Sequence, residues 1–190
     1  MDRPRRNGLA AILLVASLAY PAAVYFGRSA VPPLTFVAAA VLLMTLRTIT
    51  LNASAARQQR GLLIASAATL VILAALDPPV AAKAYPVVMS AAVAALFGMS
   101  LAHPPSLIER YARLRQPDLP PEARDYCRAV TMVWTAWLLL NALIALALAV
   151  FGSDAAWALW TGVIAYLIMG LLLAGEFVLR RVLVGPRTAA

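Results

Sequence analysis

Apolar residues in this chain gather into six long stretches, spanning residues 9–26, 30–46, 61–76, 85–102, 129–151 and 155–179. No Lys, Arg or Asp interrupts any of them, and the only acid inside one is Glu176. A helix crossing about 30 Å of hydrocarbon needs about 20 predominantly apolar residues, so each stretch predicts a membrane span. No extended alternation of apolar and polar positions competes with this pattern, and the abundance of Ala and Leu favours helices over a membrane barrel. The predicted fold is an all-α integral membrane protein in one polytopic domain. It comprises six transmembrane helices and a short cytoplasmic interfacial amphipathic helix.

The gaps between the stretches set the orientation. Arg3, Arg5 and Arg6 precede the first, Arg47, Arg57 and Arg60 lie between the second and third, and Arg110, Arg113, Arg115, Arg124 and Arg128 lie before the fifth. Arg180, Arg181 and Arg187 follow the sixth, whereas the alternate gaps hold only Arg28 and Lys83. The positive-inside rule then places both termini and the segment 103–128 of this multi-pass protein in the cytoplasm. A rival reading of the N-terminus is a cleaved signal peptide, with Ser17-Leu18-Ala19 as a weak processing site. Retention is favoured because apolar character continues through Pro21 to Phe26, a length sufficient to span.

Composition agrees with the pattern: of 190 residues, 63% are hydrophobic and 13% charged, and the mean hydropathy is +0.83. A water-soluble globule is excluded. The net charge of +8 does not point to nucleic acid, because the basic residues mark one membrane rim and form no stripe with interleaved aromatics. Membrane lipids are the expected partners. One Cys (Cys127) and one His (His103) exclude an intrachain disulfide and any metal cluster built on several such ligands, and no cofactor is expected. The sequon Asn52-Ala53-Ser54 falls in a predicted cytoplasmic hairpin and reads as a chance match.

Within 103–128, Pro104-Pro105 precede Ser106 and Glu109, an S-x-x-E capping box that predicts a helix start. Leu107, Ile108, Tyr111 and Leu114 then share one face, with Glu109, Arg110 and Arg113 opposite. That is the pattern of a helix lying in the cytoplasmic interface, ending at Gln116-Pro117. It either anchors the bundle or offers Ser106, Glu109, Arg110 and Arg113 to a partner or a lipid headgroup.

Glu176 is a functional candidate because an acid at the bilayer centre costs about 2.5 kcal/mol or more. It also lies four residues before Arg180, close enough to the rim for an i,i+4 pair. Only Gly152, Ser153 and Asp154 join the last two stretches, which predicts an antiparallel hairpin. Matching Arg128 with Arg180 at the rim places Glu176 level with Met132 and Asn141 level with Leu167. Thr131, Thr135 and Asn141 are then expected to meet Glu176 and Tyr166, with interhelical hydrogen bonding as the plain role of Asn141.

Small residues at Ser90, Ala94 and Gly98, and at Gly170 and Ala174, predict close helix contacts. Trp134, Trp137, Trp157 and Trp160 read as interfacial anchors. A faint echo between Ala19-Tyr20-Pro21 and Ala84-Tyr85-Pro86 allows an inverted repeat of the kind found in transporters.

Pro104-Pro105-Ser106-Leu107-Ile108-Glu109-Arg110, Pro117-Asp118-Leu119-Pro120-Pro121, Thr131 with Val133-Trp134, Asn141, Ile164-Ala165-Tyr166, Met169-Gly170 and Ala174-Gly175-Glu176 together resemble a family of uncharacterised bacterial inner-membrane proteins. Its members are encoded beside fatty-acid-synthase-like genes for aryl polyene or xanthomonadin-type pigment lipids, and are sometimes labelled ketosynthases. The resemblance covers about Tyr85 to Arg181 and departs at Trp160-Thr161, where Tyr-Asn is usual, and at Leu138-Leu139, where aromatics are common. It implies a pathway context and no activity. The ketosynthase label conflicts with a lone Cys127 and a distant His103. The expected function is a non-enzymatic accessory protein that holds, hands over or exports an aryl-polyene-type lipid or its precursor, alongside other biosynthesis or export proteins. The alternatives are a lipid-modifying enzyme, with Glu176 as acid or base and Arg180 or Arg110 on an anionic headgroup, and a small transporter.

Overall fold

Proline and short polar side chains punctuate the chain where its helices begin. In a computed structural model, which describes residues 3–50 and 56–183, the helices are α1 (Arg3–Gly27), α2 (Pro33–Thr50), α3 (Ala56–Leu76) and α4 (Pro78–Ala102). They continue as α5 (Leu107–Arg113), α6 (Pro121–Phe151), α7 (Asp154–Leu159), a π-helical turn (Trp160–Ile164) and α8 (Ala165–Leu183). Asp77 caps α4 by accepting from the Val80 N–H at 3.1 Å, ahead of Pro78 and Pro79 in the first turn, where a missing N–H costs nothing. Ser153 caps α7 in the same way, accepting from Ala156 at 3.2 Å.

No strand occurs among the described residues. Four helical segments are long and apolar enough to cross a membrane: Arg57–Leu76, Pro78–Ala102, Pro121–Phe151 and the continuous rod Asp154–Arg180. The first two expected spans fall in α1 and α2, whose apolar stretches, Ala11–Gly27 and Pro33–Thr48, are shorter. The sequon at Asn52 and the basic residue Arg187 lie outside the described residues.

The centre of the bundle is α4, which packs along α6, α3 and α2 and touches α1 and α5. Its small residues make this possible. Ala94 is buried, and a Cβ added at Gly98 would stand 3.5 Å from Thr135 Cγ2 of α6. The face α6 presents, Thr131, Leu138, Asn141, Ala142, Ala145 and Ala149, repeats at the three- and four-residue spacing of a helical stripe. Tyr20 and Tyr85, from the two echoed Tyr-Pro motifs, pack together with ring centroids 4.6 Å apart. Trp157 is fully buried in the same core, so it is not the expected interfacial anchor.

The expected close contacts of the last stretch are absent among the described residues. Of the described side chains of α8 only Ala165 is buried, and a Cβ at Gly170 would meet nothing within 4 Å. The helices α6 and α8 do not zip along their length: α6 packs on α4, and a hydrogen bond from Tyr126 to the Glu176 carbonyl links it to α8. At the end where α1, α4 and α7 come together, Asp154 pairs with Arg28 and with Lys83, each at 2.5 Å.

Candidate functional site

At the opposite end, α5 lies against α6 and α4, held by contacts that differ from a capping box. Ser106 occupies the cap position but makes no capping bond, and its hydroxyl is buried without a partner. The orphan N–H of Leu107 is satisfied from another helix, by Ser100 Oγ at 2.9 Å. Glu109, expected on the polar outer face, turns inward to 7% exposure and binds Arg113 through Nη2 at 2.6 Å. Leaving that carboxylate unpaired at such burial would be costly, and Arg113, one turn on in the same helix, lets α5 bury it. Arg110 donates to the carbonyls of Pro105 (2.8 Å) and His103 (3.0 Å), closing the turn into the helix. Glu109, Arg110 and Arg113 are thus engaged within α5 and the turn before it, Ser106 is buried, and the outer surface carries exposed Tyr111 and Leu114.

This placement opens a groove of about 490 Å³ between α5, the 114–120 connection, the first turns of α6 and the end of α8. Ile108, Tyr111 and Leu119 give it apolar walls, and Glu176 and Arg180 supply charge from α8. Among the described residues no ion pair joins Glu176 to Arg180, so the expected i,i+4 bridge is not formed. Tyr126 and the buried Cys127 also line the groove, and the Tyr126 hydroxyl donates to the Glu176 carbonyl at a long 3.4 Å.

Glu176 therefore stands beside Tyr126, not beside Met132, and the hairpin register is displaced from the one expected. The π-helical turn Trp160–Ile164 winds about one extra residue into the last rod, a small part of this six-residue displacement, and Arg128 bonds the Leu101 carbonyl of α4 at 3.0 Å instead of matching Arg180. Thr131 and Thr135 consequently do not reach Glu176. Their hydroxyls donate to the carbonyls one turn back, Cys127 at 2.7 Å and Thr131 at 2.8 Å. Asn141 meets Trp160, accepting its indole N–H at 3.0 Å while donating to Ser90 Oγ at 2.9 Å, which ties α4, α6 and the π turn together.

Asn141 and Tyr166 line a second cavity of about 310 Å³ among α1, α4, α6 and α8. Three residues there escaped the sequence reading. Arg47, assigned to the cytoplasmic rim, lines this cavity and donates to Ser17 Oγ at 2.9 Å, and Ser17 lies 2.8 Å from the Tyr85 hydroxyl. The available signal was positional: Arg47 directly follows an apolar stretch, and Tyr85 belongs to the echoed motif.

The candidates thus separate into a charged groove at one end and a polar pocket deeper in the bundle, with Thr131 and Thr135 in the packing between α4 and α6. No group of three or more His, Cys, Asp or Glu occurs among the described residues. The chain matches no protein-family model, no curated protein and no solved structure.

Proposed function

We propose that this chain is a non-enzymatic inner-membrane accessory protein that holds, hands over or exports an amphiphile of the aryl-polyene type or its precursor. The observation that supports the reading is the groove between α5 and α8, where apolar walls meet Glu176 and Arg180. A ligand there would set its polar head against charge and its chain along Ile108, Tyr111 and Leu119. In this reading the protein crosses a bacterial inner membrane six times with both termini cytoplasmic. The stretch Ala11–Gly27 rises about 25 Å at about 1.5 Å per residue, near the thickness of the hydrocarbon, and the basic residues favour that orientation. Membrane lipids and other biosynthesis or export proteins are its partners. A small transporter is the second reading, favoured by the deeper cavity at Asn141 and Tyr166.

Deleting the gene in a producing strain should leave soluble acyl-chain synthesis intact and reduce membrane-delivered product. Glu176→Gln should accumulate normally and fail to restore delivery. Unchanged product and localisation in the deletion strain would overturn the function, and full rescue by Glu176→Gln would remove the groove as its site.

A further inference from the structure

At the end of the bundle opposite the Glu176 groove, one carboxylate serves two cations. Asp154, at the start of α7, takes Arg28 on Oδ2 and Lys83 on Oδ1, each at 2.5 Å. Asp77, the other acid at this end, is exposed, accepts from the Val80 N–H and forms no ion pair among the described residues. The cluster therefore keeps an excess of one positive charge. Lys83 bears most of the cost, because its side chain is only 20% exposed against 48% for Arg28, and a buried ammonium is destabilising unless its charge and its donors are met. Of its three donors one reaches Asp154, and no further acceptor for it occurs among the described residues.

These groups border a pocket of about 260 Å³, set between the end of α1, the start of α2, the first turns of α4 and α7. Val24, Val31 and Phe36 give it apolar walls. Its frame is fixed: the Arg28 guanidinium lies 4.8 Å over the Tyr25 ring, and the Tyr20 hydroxyl, one turn below Val24, is within bonding distance of the carbonyls of Phe36 (3.2 Å) and Ala82 (2.7 Å). Trp157 also lines the pocket, and its buried indole N–H has no acceptor. Donors thus outnumber acceptors around a space that is otherwise apolar. That is the complement of an oxyanion on a hydrocarbon body, and the volume suits a compact one.

We propose that this pocket is a separate ligand site, which takes a compact amphiphilic monoanion, a carboxylate or a phosphodiester, with its head on Lys83 and Arg28 and its apolar body among Val24, Val31 and Phe36. Asp154 has two opposed effects there. It holds the two cations together, and it competes with the ligand for them. The site stands whether or not the Glu176 groove acts as proposed above; in the orientation proposed there, it opens at the outer rim.

The test uses the full chain in phosphatidylcholine nanodiscs, titrated calorimetrically with hexanoate and with uncharged hexanamide, against empty nanodiscs. Hexanoate should bind at least about tenfold more tightly than hexanamide, and Lys83→Met, which keeps the stem and the Arg28–Asp154 pair, should abolish that preference. Asp154→Asn should tighten hexanoate binding severalfold even as it loosens the cluster, a gain that a purely structural ion triad does not give. Native mass spectrometry of the chain released from discs of mixed phosphatidylglycerol and phosphatidylcholine separates the sources of the anion. Retention of phosphatidylglycerol that Lys83→Met removes identifies a lipid headgroup, hexanoate binding without such retention identifies a free solute, and either supports the proposal. Inorganic phosphate displacing hexanoate at equal concentration would overturn it, because the apolar walls would then contribute nothing. So would weaker hexanoate binding by Asp154→Asn, or a preference that survives Lys83→Met and disappears in Arg180→Gln, which would move recognition to the Glu176 groove. If Lys83→Met does not accumulate, Lys83→Arg keeps the charge and should keep the preference. Equal binding of hexanoate and hexanamide by the unmodified protein overturns the proposal without any variant.

Discussion

Replacing Asn141 with leucine removes two interhelical hydrogen bonds in one step, the donation to Ser90 at 2.9 Å and the acceptance from Trp160 at 3.0 Å. Hydrogen bonds between membrane helices contribute from about 0.6 to about 2 kcal/mol each. The two losses differ. Ser90 can turn its hydroxyl to a carbonyl of its own helix, as Ser100 already does towards Phe97 at 2.6 Å, whereas the Trp160 N–H has no such fallback. Leucine is close to Asn in size and leaves no large void, so the expected cost is about 2 kcal/mol, roughly thirtyfold in the unfolding equilibrium. Reversible unfolding in mixed micelles with increasing dodecyl sulfate, followed by tryptophan fluorescence, measures it. A cycle with Trp160→Phe isolates the pair: the double variant should cost less than the two single variants together. A loss below about 0.5 kcal/mol for Asn141→Leu, with additive single effects, would refute the role of Asn141 as the tie among α4, α6 and the π turn.

Gly98 is predicted to tolerate alanine, because the added Cβ would stand an ordinary 3.5 Å from Thr135 Cγ2. The same unfolding assay should show Gly98→Ala neutral or slightly stabilising, and Gly98→Leu destabilised by about 1 to 3 kcal/mol as α4 is pushed from α6; equal behaviour of the two would contradict the close approach. Asp154→Asn should lower stability by about 1 kcal/mol or less, since its partners are partly exposed, and the difference should shrink in high salt. A salt-independent loss would mean that the cluster acts through packing. Reporter fusions should place residues 47–60 and 103–128 in the cytoplasm and residues 27–30 and 77–83 outside; a periplasmic C-terminus would overturn the orientation derived from the basic residues.

Helical segments were legible because apolar runs and punctuating residues are local. Asp77-Pro78, Pro120-Pro121 and Ser153-Asp154 mark starts that the structure places within a residue or two of the apolar edges or one to two turns before them. The Ser90, Ala94 and Gly98 row on α4 also pointed to a close approach. Rotation and register were harder, since they depend on partners distant in sequence. Periodicity put Glu109 on an outer face, but the bond from Leu107 to Ser100 of α4 holds α5 the other way, and pairing with Arg113 makes the buried carboxylate tolerable. Counting from the rim misaligned α6 and α8 because Arg128 turns to α4 and so does not mark the same level as Arg180, and because nothing in Trp160-Thr161-Gly162-Val163-Ile164 announces a π turn. Arg47 looked like one more rim charge, because sequence position does not reveal whether a long side chain turns to water or to the interior.

The π-helical turn acts as a phase shifter for the rod that carries it. One residue more or fewer rotates everything beyond it by about 100° about the helix axis while barely altering the rod's length or direction. Wound as uninterrupted α-helix, the same sequence would present to the groove a neighbour of Glu176, either Gly175 or Phe177, and the groove would lose that carboxylate. Whether the groove holds a carboxylate is therefore set at the far end of the rod, where Trp160 donates to Asn141 and the helix is widest.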